Sequence, residues 1–222
     1  DVPEGRLIVD YQKIIDEGVE GLIKRIDGKI AGLGDLSSKE LFDKYNFYQG
    51  VKMALEGLVA YAENHAEEAE RLAAECKSPT RKKELLEIAR ICRKVPRKPA
   101  DTFREAMQSF WFTHVVLFIE LNGRGISPGR FDQYMYRTFK ADRDAGNLTE
   151  QEALELLELM RIKCGEISRA HATFTESYLG GSVYQNVTLG GVDRYGNPCD
   201  NELSSLVLQA GINVKTWQPT LS

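Results

Sequence analysis

From Tyr11 to Gly32 the apolar residues Ile14, Ile15, Val19, Leu22, Ile23 and Ile26 recur at helical spacing with charges between them, which predicts an amphipathic helix. A second helix is predicted from Ser38 to Cys76. Its apolar positions Phe42, Phe47, Val51, Leu55, Leu58 and Tyr61 give way to alanine and glutamate, a pattern that favours a long helix with a solvated end. Ser78-Pro79 interrupts it. Thr80 to Arg93 restarts with Leu85, Leu86, Ile88, Ala89 and Cys92, and Pro96 and Pro99 stop it, since proline cannot continue a helix.

Asp101 or Thr102 can cap the next helix, with Glu105 in its first turn. That helix runs through Phe103, Phe110, Trp111, Phe112, Val115, Val116 and Phe118, apolar on nearly every side, so it belongs inside a molecule. Its end is broken by glycines between Asn122 and Gly125, then by Pro128, before a polar and aromatic restart that reaches Tyr136. The break reads as a pocket wall that places Arg124 at or near the interior. Arg130 to Asp144 and Thr149 to Ser168 are two further helices, separated by Gly146-Asn147 and opened by a Thr149/Glu152 capping box. Tyr184 to Leu189, between the pairs Gly180-Gly181 and Gly190-Gly191, is the best strand. Asp193 to Pro198 reads as a turn, and Asn201 to Val214 as helix.

The predicted class is therefore mostly α with a few strands, one or two of them late in the chain. A lone strand needs a sheet around it. The chain also starts without methionine and stops just after the extended-looking Trp217 to Pro219, so the expectation is a piece of something larger.

Composition narrows the function classes. The 222 residues are 42% hydrophobic and 28% charged with net charge −4, which offers no electrostatic pull toward nucleic acid or an anionic membrane. Neither is expected as a partner. No stretch approaches the roughly 18 to 20 apolar residues of a membrane span, and the amino terminus lacks a secretory pattern. Cys76, Cys92, Cys164 and Cys199 are far apart with no CxxC pair, so a reducing cytoplasm fits best.

The candidate chemistry is sparse. His65 lies on an Ala/Glu-rich face and reads as a surface residue, His114 sits among aromatics as a hydrogen-bonded core histidine, and His171 has no nameable partner. No catalytic triad can be assembled from them. Glu63, His65, Glu67 and Glu68 lack the paired carboxylate-histidine spacing of a bundle metal site, and no metal is expected. The glycine pairs are followed by no phosphate-loop signature. Arg6 and Arg124 stand out, because an arginine in a pocket wall needs an anion, either a protein carboxylate or a substrate group. Arg130 and Asp132 read as structural.

From Tyr11 to Ser222 the order of signatures resembles the glycyl radical enzymes of the pyruvate formate-lyase type, more closely their dehydratase and lyase branch. The residues that carry the resemblance are Asp10-Tyr11, Arg90 to Cys92 with Val95-Pro96, Ser109 to Phe112 with His114, Asn122-Gly123 with Ile126 to Pro128, and Arg130 to Tyr136. Tyr184 to Asn186 with Gly190-Gly191, and Gln218-Pro219 with Leu221-Ser222, complete them. The resemblance implies a ten-stranded α/β barrel with extra outer helices. Residues 1–222 would be part of that domain, 1–170 mainly helical and 171–222 supplying the first barrel strands and a helix.

It also implies chemistry by a thiyl radical on a cysteine in a Gly-Cys-Val/Ile-Glu loop. That radical is generated from a glycyl radical installed by a radical S-adenosylmethionine activase, commonly in a homodimer. None of the four cysteines has that setting, so no catalytic residue is assigned here and the chain alone should be inactive. What the resemblance leaves to this chain is substrate binding by Arg6, Asp10, Arg124, Gly125 and Tyr184. In the diol dehydratases of the family the run reads Asn-Gly-His-Ser-Ile-Ser-Pro, and a further histidine precedes the Asp-Tyr pair by four residues. Here Arg124-Gly125 replaces His-Ser, and Arg6 replaces the other histidine. The implied reaction is removal of water, sulfite or a similar group from a small, hydroxylated, anionic substrate. A glycerol- or propanediol-type dehydratase and a formate acetyltransferase are the alternatives within the family, and a non-catalytic helical interaction module is the one outside it.

Overall fold

Four two-residue strands and seven helices make up the described part of the computed structural model, which covers residues 6–121, 123, 125–168 and 183–222. In chain order they are β1 (Leu7–Ile8), α1 (Tyr11–Ala31), α2 (Lys39–Glu75), α3 (Pro79–Lys94), α4 (Phe103–Leu121) and β2 (Ile126–Ser127). There follow α5 (Phe131–Asp144), α6 (Glu150–Glu166), β3 (Asn186–Val187), α7 (Glu202–Val214) and β4 (Thr220–Leu221). The chain divides into two units, one of Asp1–Gln12, Asp101–Met107 and Thr113–Ser222, the other of Lys13–Ala100 and Gln108–Phe112.

The second unit is helical. Serines cap its helices: Ser38 Oγ accepts from Leu41 N at the start of α2, and Ser78 Oγ from Arg81 N ahead of Pro79 at the start of α3. The alanine-rich end of α2 differs from expectation. Ala62, Ala66, Ala69 and Ala73 are buried, and α2 packs along α3. Small side chains at i, i+4, i+7 and i+11 form a buried stripe that admits a neighbouring helix closely, while the glutamates between them stay outside. Within α1, Gly18 (φ 67°, ψ 168°) breaks the helical path, and Val19 N and Glu20 N donate instead to the carbonyls of Pro96 and Arg97 at 2.9 and 3.0 Å.

The first unit holds the strands. β1 pairs with β2 in parallel, Leu7 opposite Ile126, and β3 pairs with β4 in parallel, Asn186 opposite Thr220. A parallel bridge between Gly129 and Val187 joins the two pairs into the order β1-β2-β3-β4. Parallel neighbours need crossover connections, and helices lie between every consecutive pair. Two strands therefore lie early in the chain, at Leu7–Ile8 and Ile126–Ser127, where no strand was expected. Both are two residues long, too short to show a period of two in the sequence.

Alternation along these strands separates two faces. Ile126, Val183, Gln185 and Val187 are buried, with Phe118, Ile126 and Val183 in one apolar cluster. Arg6, Ile8, Asp10, Tyr184, Thr220 and Ser222 are exposed on the other face.

Candidate functional site

The exposed strand face collects most of the predicted site. Arg6, Ile8 and Asp10 alternate with the more covered Leu7 and Val9, so the first three project to one side of β1. Arg6 stands at the entering end of β1 and Asp10 at its leaving end, about 13 Å apart along an extended strand. Gly125 enters β2 beside Arg6: Leu7 N donates to Gly125 O at 3.0 Å, and a Cβ built on Gly125 would lie 2.8 Å from Arg6 Cγ. Gly125 N in turn donates to Val183 O at 2.7 Å, which brings the segment carrying Tyr184 alongside. Arg6, Gly125 and Tyr184 thus gather at the entering ends of three adjacent strands, and Asp10 lies on the same face further along. Arg124 and His171 lie outside the described residues.

Tyr184 is half exposed, with φ 54°, a left-handed backbone that costs an aromatic residue on the order of 1 kcal/mol. Such strain persists where surrounding contacts over-determine it and the side-chain direction is used. Those contacts are visible one residue on, at the fully buried Gln185.

Gln185 ends a buried polar chain. Its Nε2 donates to Cys164 O at 2.8 Å, which leaves Oε1 as the acceptor for His114 Nε2 at 2.7 Å. His114 Nδ1 is then the bare nitrogen, and Tyr11 Oη donates to it at 2.6 Å. Burial lowers the His114 pKa to about 4 against a smaller opposing effect of the Gln185 bond, and burial likewise pushes the Tyr11 phenol up. Every member stays neutral near pH 7, so the chain orients groups rather than supplying charge. Its two ends are the sequence neighbours of Asp10 and Tyr184. The reading of His114 as a hydrogen-bonded core histidine agrees with this geometry, but its partners, 103 and 71 residues away, had no local signal.

The far ends of the strands are tied down by α5. Asp132, fully buried, accepts from Gly190 N at 2.7 Å and Ser204 Oγ at 2.5 Å, and Arg130 donates to Gly190 O at 2.7 Å. Both were read as structural. On the exposed face, Asn186 accepts from Thr220 Oγ1 at 2.8 Å and donates to Ser222 Oγ at 2.9 Å, a polar ladder the sequence reading missed.

The cysteines have no comparable access. Cys92 and Cys164 are buried, and burial pushes their thiols up to about 11 and about 12. Cys76 and Cys199 are partly covered and donate to the carbonyls of Ser78 and Asn197 at 3.6 Å. Among the described residues no group of three His, Cys, Asp or Glu side chains is placed to hold a metal ion.

A family model described as pyruvate formate lyase-like matches residues 2–222. Indoleacetate decarboxylase of Tractidigestivibacter scatoligenes is 36% identical over 99% of the chain and 25% of its own length. Isethionate sulfite-lyase of Desulfovibrio desulfuricans is 38% identical over 96% of the chain and 26% of its own length. The glycerol-bound B12-independent glycerol dehydratase of Clostridium butyricum superposes with a TM-score of 0.93 at 34% identity, covering 99% of this chain and 28% of that one. The chain therefore spans about a quarter of the length of the curated relatives it matches.

Proposed function

Because this chain belongs to the pyruvate formate lyase-like family, we propose that it forms the substrate-binding side of a glycyl radical lyase or dehydratase acting on a small hydroxylated anion. The observation that carries the reading is the shared exposed strand face, on which a guanidinium and a carboxylate stand at opposite ends of β1 with Tyr184 two strands away. In this reading the four parallel strands belong to a ten-stranded α/β barrel, and this face lines its interior.

Each residue then has a role. Arg6 presents paired N–H donors to a sulfonate, carboxylate or phosphate. Among the described residues no ion pair includes it. Asp10 accepts from the substrate hydroxyl and takes part in proton transfer there. Tyr184 walls the pocket, and the Tyr11-His114-Gln185 chain fixes the backbone on both sides. Arg124 joins the anion site in this reading. The radical groups of such enzymes supply hydrogen-atom abstraction from the hydroxyl-bearing carbon, after which water, sulfite or a similar group leaves the neighbouring carbon. None of Cys76, Cys92, Cys164 and Cys199 stands in a Gly-Cys-Val/Ile-Glu setting, so the thiyl role is assigned to no residue of this chain. A radical S-adenosylmethionine activase, a homodimeric state and a cytoplasmic location belong to the same proposal, and no described helix is long and apolar enough to cross a membrane.

The test is turnover by the complete protein, activated without oxygen, on isethionate and 2,3-dihydroxypropanesulfonate against glycerol and 1,2-propanediol. A higher kcat/KM for the sulfonates is expected. Preference for the uncharged diols overturns the anion assignment.

A further inference from the structure

Gly125 has backbone φ +67°, and a Cβ placed on it would come within 2.8 Å of Arg6 Cγ and 3.4 Å of Arg6 Cα and Cβ. Nonbonded carbons sit best at about 3.5 to 4.0 Å, so the shortest of these contacts is an overlap rather than tight packing. The same arrangement repeats one step along the strands. Gly129 (φ +66°) would put a Cβ 2.6 Å from Ile8 Cγ2. Arg6 and Ile8 are alternate residues on the exposed face of β1, Gly125 and Gly129 flank β2, and the register sets Leu7 against Ile126. Arg6 and Ile8 therefore pack against bare glycine backbone on either side of β2.

The segment that carries Tyr184 lies on the far side of Gly125, because Gly125 N is bonded to Val183 O there. A side chain at 125 would fill the space beside Arg6 and push the arginine off β2. We propose that Gly125 is a specificity-determining residue: its missing side chain is the slot through which Arg6 reaches an anionic substrate group, so the two positions act as one unit. The proposal deepens the anion reading given above and rests on it.

Two readouts in the complete, unactivated protein separate the slot from that reading. The first is thermal unfolding of the parent, Arg6→Ala, Gly125→Ala and the double variant. Left-handed backbone strain at 125 lowers Tm in either background, whereas the overlap with Arg6 Cγ exists only with arginine present. Gly125→Ala must therefore cost less Tm when position 6 is alanine, and equal losses in both backgrounds overturn the slot. The second is calorimetric binding of isethionate. Gly125→Ser is expected to weaken it by at least about tenfold, the loss of a charged hydrogen-bonded contact, and to add nothing further in an Arg6→Ala background. Affinity within twofold of the parent, or losses that multiply, overturns the coupling. Failure of the parent itself to bind isethionate while the Tm coupling persists refutes the anion reading and leaves the Arg6-Gly125 packing intact.

Discussion

Lowering the pH should weaken this protein through one histidine, and the amount follows from its surroundings. His114 is fully buried, accepts from Tyr11 Oη and donates to Gln185 Oε1. Phe118 packs edge-on against its ring. Its pKa falls from the ordinary 6.5 to about 4 in the folded chain. Because the folded value is depressed, unfolding takes up a proton between the two values. The stabilisation is whole above about pH 6.5 and is lost as the pH falls toward about 4. At ~1.36 kcal/mol per pKa unit the full window is worth about 3 kcal/mol, and about 2.5 kcal/mol of it is gone by pH 4.5. Urea unfolding of the parent and His114→Gln across pH 7.5 to 4.5 isolates the term, since other titrating groups are common to both. The stability gap between them should narrow by about that amount on acidification. Parallel pH curves would refute both the neutral histidine and the hydrogen-bond directions assigned from it.

Other outcomes follow from the same physics. Gly18→Ala should destabilise the helical unit by more than about 2 kcal/mol, because the new Cβ would lie 2.6 Å from the Lys98 carbonyl carbon at a left-handed backbone position, and chemical denaturation measures it. Cys76 and Cys199 should react with a thiol reagent at pH 8 well before Cys92 and Cys164. The last two react only on unfolding, since burial both covers them and suppresses their thiolates.

The helices were legible because their signals are local. Apolar spacing and the Thr149/Glu152 box act within a turn or two, and both are present in the fold. The burial of Ala62 to Ala73 was not legible, because alanine is equally at home on a wet helix face and in a close helix contact, and only the packing of α3 decides. β1, β2 and β4 were invisible for a different reason. Two residues cannot show alternation, and their pairing is non-local, Leu7 with Ile126 and Asn186 with Thr220. At the site, Arg6, Asp10, Gly125 and Tyr184 came from matching motifs, and composition alone would not have singled them out. What motif matching could not reveal was physical contact: that Arg6 packs against Gly125, and that Tyr11 and Gln185, beside two pocket residues, meet at one buried histidine.

The exposed face of β1 to β3 is proposed to hold an anion at one end and a hydroxyl at the other. A crystal structure of the complete, unactivated protein with isethionate would decide this. The sulfonate oxygens should lie within about 3 Å of the Arg6 guanidinium, over Gly125, with the hydroxyl turned toward Asp10 and Tyr184 against the carbon chain. A ligand bound elsewhere, or seated on this face with its sulfonate away from Arg6, would contradict it.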